Sequence, residues 1–187
     1  MRVNEMWRAD AGKVATAVPV AIGLRVARRA LSQRESTARP RHGARRRRIQ
    51  GTLGAVIAGA APTVILLAAR RRTRIRLAPP PTMAGKTLLV LHVLSTVVLE
   101  ELIWRAPLGL PVGPRPRAVL TTLSGVGFLA VHVRRDGAAQ AGPHLINTTG
   151  WTLSAFVSHT AVWSGAAHAV YNTAALLLRP VANGPGR

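Results

Sequence analysis

The chain has 187 residues, with 26 Lys plus Arg against 6 Asp plus Glu, a net charge of +20, no cysteine and 48% hydrophobic residues. The missing cysteine excludes a disulfide scaffold, a thiol nucleophile and any thiolate metal site. All the cations but Lys13 and Lys86 are arginine, and they lie between long uncharged runs instead of inside them, which points to a polytopic membrane protein and away from a soluble nucleic-acid binder.

The first apolar run, residues 14–24, is short and carries Pro19 and Gly23, so it predicts a short membrane or interfacial helix. It has the length of a signal-peptide core, but Arg25 interrupts it at once. The stretch from Arg25 to Arg48 follows, rich in arginine and without an aromatic residue. Single-strand nucleic-acid binders interleave aromatics with their cations for base stacking, so this stretch predicts a loop held against anionic lipid headgroups and no nucleic-acid partner. Residues 51–69 carry no charge and are fenced by Arg45–Arg48 and Arg70–Arg72. At ~1.5 Å per residue they match a hydrocarbon core of roughly 30 Å. Arginine crowds both ends, so the positive-inside rule points two ways.

Residues 87–104 form the next apolar run, interrupted by His92 and the pair Glu100-Glu101. Residues 118–133 form another, opening after Pro111-Val112-Gly113-Pro114 and closing at Arg134-Arg135. Residues 150–178 are uncharged and too long for one span, so a split near Ser158-His159-Thr160 is expected, with the first of the two helices short. The fold class is all-α: a polytopic transmembrane helix bundle of about five to six membrane helices, some short, in the cell membrane. Residues 1–50 read as a basic N-terminal region, 51–179 as the bundle and 180–187 as a tail.

Ionisable groups inside membrane segments cost ~2.5–3.5 kcal/mol each on insertion scales, which makes them functional candidates. Glu101 and Arg105 are i and i+4 on one helix face, acid first, the order that favours a pair. Glu100 is rotated by about 100° and faces elsewhere, beside Trp104, free to act as a base on water. The plainer reading is a charge cluster snorkelling at a helix end. His132 lies one turn beyond Phe128, after the small residues Thr121, Thr122, Ser124, Gly125 and Gly127. His168 and Asn172 are again i and i+4, with Ser164 one turn earlier, and together offer two hydrogen-bond donors suited to an oxyanion. Their plainer reading is an interhelical polar clamp.

The run Glu100-Glu101-Leu102-Ile103-Trp104-Arg105 (EExxxR), then Phe128 to His132 (FxxxH), then His168 to Asn172 (HxxxN), resembles the CAAX protease and bacteriocin-processing (CPBP, or Abi) family of intramembrane proteases. The likeness covers residues 100–172, with Thr149-Gly150-Trp151 and Val162-Trp163-Ser164 also in the family's manner; after the arginine this chain has Ala106-Pro107 where the family has Gly. The resemblance implies an intramembrane endopeptidase acting on a membrane protein or peptide. In it Glu100 is the general base, helped by His132; His168 and Asn172 hold the oxyanion; Glu101 and Arg105 hold the site together. No obligatory cofactor is expected, since HExxH is absent and no two histidines are at i and i+4. Zinc is the alternative, with Glu100, His132 and His168 as its ligands. Competing readings are a non-catalytic immunity or scaffold protein of the same fold, a basic anchor for an anionic partner through Arg25 to Arg48, and a rhomboid-type serine protease, for which no GxSx motif frames Ser164.

Overall fold

A computed structural model describes residues 3–35, 44–71 and 75–180. Helix α1, Val3–Glu35, passes through Pro19 and Gly23 without a break. This corrects the expectation of a short first helix. One proline removes a single backbone hydrogen bond, and the rest of the helix absorbs it as a local defect.

Helix α2 is Ala44–Arg70, and the strand β1, Ile75–Leu77, follows it. Helix α3, Met83–Trp104, starts at Thr82, whose hydroxyl accepts from the Gly85 amide at 3.1 Å. It stops at Arg105, where Pro107 admits only a 3-10 turn, Ala106–Gly109. Helix α4, Pro114–Asp136, opens with Pro114 in its first turn, where a missing N–H costs nothing, and ends at Gly137 with φ 90°. Helix α5, Ala141–Ser158, and helix α6, Val162–Leu177, meet at His159, whose left-handed φ of 55° turns the chain. The split thus falls where it was expected, but α5 starts well before residue 150 and is the longer of the two. Pro143 sits in its first turn, where proline is compatible with a helix, so the Gly142-Pro143 pair is no loop.

The strand β2, Leu178–Pro180, pairs antiparallel with β1, Leu77 opposite Leu178, and the Arg70 guanidinium donates to the Leu178 carbonyl. This two-strand clasp is a small addition to an otherwise all-α fold. The tail expected at 180–187 lies, beyond Pro180, outside the described residues; so does part of the Arg25 to Arg48 stretch, residues 36–43.

Among the described residues three helices are long and apolar enough to cross a membrane: Ile49–Arg70, Met83–Trp104 and Pro114–Asp136. Their apolar side chains mostly face outward, as Leu53, Ile57, Val90, Leu123 and Val126 do. The interior instead holds Glu101, Arg105, Ser124, His132, Asn147 and His168 beside Phe128 and Trp151. That inversion suits a lipid solvent, where the outside of a bundle is its most apolar part. Helix α5 lies against α2, α4 and α6, and α1 lies against α3.

Helix α2 comes close to α5. A Cβ added to Gly150 would come within 2.7 Å of Pro62 and 2.8 Å of the Ala58 carbonyl. Gly150→Leu should therefore force these helices apart and cost about 1–3 kcal/mol, the usual penalty of overpacking. Gly142→Leu, where the added Cβ meets nothing within 4 Å, is the control. Thermal unfolding in detergent checks the pair; equal melting temperatures would mean that the α2–α5 approach does not limit stability.

Candidate functional site

Two adjacent glutamates near the end of α3 must point about 100° apart, and here they meet the two sides of one imidazole, His168 of α6. Glu101 is buried and turned toward α6. Its Oε1 accepts from Arg105 Nη1 at 3.3 Å and lies 3.1 Å from His168 Nδ1, while Oε2 accepts from the Ser164 hydroxyl. Arg105 is fully buried, and its guanidinium lies 3.9 Å from the centroid of the Phe128 ring and 5.6 Å from that of Trp151. Its Nε and Nη2 have no hydrogen-bond partner among the described residues, so the two ring faces supply much of its solvation.

Glu100 faces the other way. Its Oε1 is 3.5 Å from His132 Nε2 and its Oε2 is 3.6 Å from His168 Nε2. Both separations are long for a direct hydrogen bond, and the carboxylate also faces a cavity. The far nitrogens of the two rings are already engaged. His132 Nδ1 lies 2.8 Å from the Phe128 carbonyl, which can only accept, so Nδ1 carries the proton. His168 Nδ1 faces the Glu101 carboxylate in the same way. Each imidazole therefore turns Nε2 toward Glu100.

Stacking fixes the ring planes. His132 lies on Phe128 with centroids 3.9 Å apart and 24° between planes; His168 lies on Trp151 at 3.9 Å and 23°. Phe128 is thus sandwiched between Arg105 and His132, an arrangement the i, i+4 spacing of FxxxH makes available. Trp104 meets Phe128 edge-on at 6.3 Å and occupies the space beside Gly127, where a Cβ would stand 2.5 Å from the indole. The site is built from three aromatic rings and one buried ion pair.

A cavity of about 410 Å³ opens on the Glu100 side, with Glu100, His132, His168, Asn172, Tyr171 and His144 among its walls. The structure brings Glu100, Glu101, Arg105, His132 and His168 into one cluster. Asn172 is one turn further along α6 on the same cavity wall and makes no hydrogen bond among the described residues. The sequence reading did not assign Asp136 and His144: His144 Nε2 is 2.9 Å from Asp136 Oδ2, and its ring centroid is 5.1 Å from that of His132. Burial, then the neighbouring His132, holds His144 below the ordinary imidazole range. His144 lies between the apolar runs 118–133 and 150–178, so nothing in its spacing gave it away. Ser164 did carry a signal, one turn before His168 on the same face. Among the described residues no group of three or more His, Asp or Glu side chains is arranged to hold a metal ion. Comparison with known protein families, with curated proteins and with solved structures finds no match for this chain.

Removing either Glu101 or Arg105 leaves a buried charge without its partner, a loss of about 3–5 kcal/mol for such pairs. Glu101→Gln and Arg105→Met should each lower the yield of folded protein, and the double variant should recover part of the loss. A double-mutant cycle on melting temperature tests this; additive single effects would dissolve the pair.

Proposed function

We propose that this chain is a multi-pass cell-membrane endopeptidase of the CPBP kind, in which Glu100 activates a water to hydrolyse a peptide bond of a membrane protein or peptide. The observation that carries the reading is Glu100 itself: a carboxylate beside a polar cavity in a membrane helix, with two imidazoles whose outer nitrogens are already engaged. A water held in the cavity against Glu100 and His132 would lose a proton to Glu100 as its oxygen attacks the scissile carbonyl carbon. The oxyanion would gather donors from α6: the Asn172 carboxamide and, with the Nδ1–H already given to Glu101, the second N–H that His168 carries on Nε2 in its imidazolium form. As the tetrahedral intermediate collapses, the proton on Glu100 passes to the leaving amine. Glu101 touches no reacting atom in this scheme; it orients His168 and neutralises Arg105.

Zinc would be held by Glu100, His132 and His168 and would polarise the attacking water; the steps above are those of the side chains alone. The runner-up is a non-catalytic membrane protein in which the same contacts serve as glue. It is favoured by one observation: both Glu101 oxygens are spent in tying α3 to α6.

Glu100→Gln should reduce peptide hydrolysis by ~10²–10⁴-fold while melting behaviour stays near wild type. Hydrolysis of a peptide library by purified protein in detergent is the measurement, and a variant retaining more than about a tenth of the activity rules out the general-base role. Dialysis against phenanthroline should leave wild-type hydrolysis largely intact. Stoichiometric zinc that is lost and regained together with activity would rewrite Glu100, His132 and His168 as ligands.

A further inference from the structure

On the side of α3 that meets α1, the two helices run side by side in the same direction. Near one end the Lys13 ammonium donates to the Thr96 hydroxyl at 2.7 Å; near the other, Arg25 and Arg28 share a cavity with Ala106 and Gly109, beyond the end of α3. Two grooves lie along this seam, of about 590 Å³ and 770 Å³, and they are continuous: Ala21, Leu94, Val98 and Leu102 line both. The walls are almost wholly apolar until the arginines are reached. On α1 the groove follows Val14, Ala17, Val18 and Ala21, the 3–4 residue spacing of one helix face, and the small side chains of Ala17 and Ala21 keep it deep. The same face continues into Arg25, Arg28 and Arg29, at i, i+3 and i+4, all exposed, which line a further hollow with Ser32.

Length and charge together define what fits. From Val14 to Arg25 the groove is about 16 Å long at ~1.5 Å per residue, half of a ~30 Å hydrocarbon core, and so the depth of one leaflet. No acidic side chain among the described residues pairs with the three arginines. Glu101, on the wall of the inner groove, is already engaged by Arg105, Ser164 and His168. His159, backed by Arg117, stands across the headgroup end and adds no negative charge. Three guanidiniums at the mouth of an apolar slot one leaflet deep are complementary to a phosphate that carries an acyl chain.

We propose that the α1–α3 groove is a binding site for a single anionic phospholipid, with its phosphate on Arg25, Arg28 and Arg29 and one acyl chain laid along Ala17 and Ala21. This narrows the lipid contact expected of the whole Arg25 to Arg48 stretch to three side chains and gives it an apolar floor. It is independent of the proposed hydrolysis.

Native mass spectrometry of the protein in detergent, titrated with phosphatidylglycerol or with phosphatidylcholine of the same chain length, tests the site. One phosphatidylglycerol should bind at least tenfold more tightly than phosphatidylcholine. The variant carrying Arg25→Gln, Arg28→Gln and Arg29→Gln should lose that preference, at roughly fivefold per arginine. Ala17→Phe with Ala21→Phe fills the slot with the arginines intact and should also weaken binding of phosphatidylglycerol at least tenfold, so the proposal stays testable if the arginine variant fails to fold. Glycerol 3-phosphate, a headgroup without a chain, should not compete. Equal binding of the two lipids, an unchanged affinity in the filled-groove variant, or full competition by glycerol 3-phosphate would each overturn the site.

Discussion

Everything in the polar interior depends on bringing the Arg105 guanidinium into a bundle where water cannot follow. An isolated cation there costs several kcal/mol after relaxation, and this one is balanced in two ways. Glu101, one turn earlier on the same helix, supplies the opposite charge, and the Phe128 and Trp151 rings supply π faces. Those two rings are then committed in orientation, and they also carry the stacked rings of His132 and His168. The orientation of both imidazoles toward Glu100 follows from the solvation of one arginine.

The same economy governs the rest of the bundle. With lipid outside, apolar burial gives little reason for helices to associate, so close backbone contact and hydrogen bonding carry more of the work. Gly150 against Pro62 and the Ser124 hydroxyl donating to the Trp104 carbonyl are two such devices. They join α2 to α5 and α3 to α4, the helices that frame the charged cluster. The outward-facing valines and leucines are left to the bilayer.

How much of this was legible beforehand varied with the distance over which residues interact. The Glu101–Arg105 pair could be read because i, i+4 geometry is fixed within one helix. The turn at His159 could be read because twenty-nine uncharged residues exceed one span. Local signals failed where context outweighed them. Pro19 marks a break in water, but α1 continues through it. The meeting of Glu100, His132 and His168 joins three helices and has no spacing rule; only the resemblance grouped those motifs, and the structure brings the same side chains together. The stacking of His168 on Trp151 and the Asp136–His144 contact were beyond reach, since both depend on how α5 lies against its neighbours.

The clasp between β1 and β2 has a temporal side. Leu77 and its partner Leu178 are 101 positions apart (178 − 77), and α3, α4, α5 and α6 are all threaded between them. A ribosome adding ~5–20 residues per second makes the second strand roughly 5–20 s after the first. During that interval α3 already exists, and Glu101 can be neutralised by Arg105 of its own helix without waiting for α6. Glu100 has no such companion within reach; both of its imidazoles come from segments translated later. The nascent chain therefore carries its dangerous charge pre-paired, while the carboxylate at the cavity wall gains its surroundings only as α6 arrives and the clasp closes behind it.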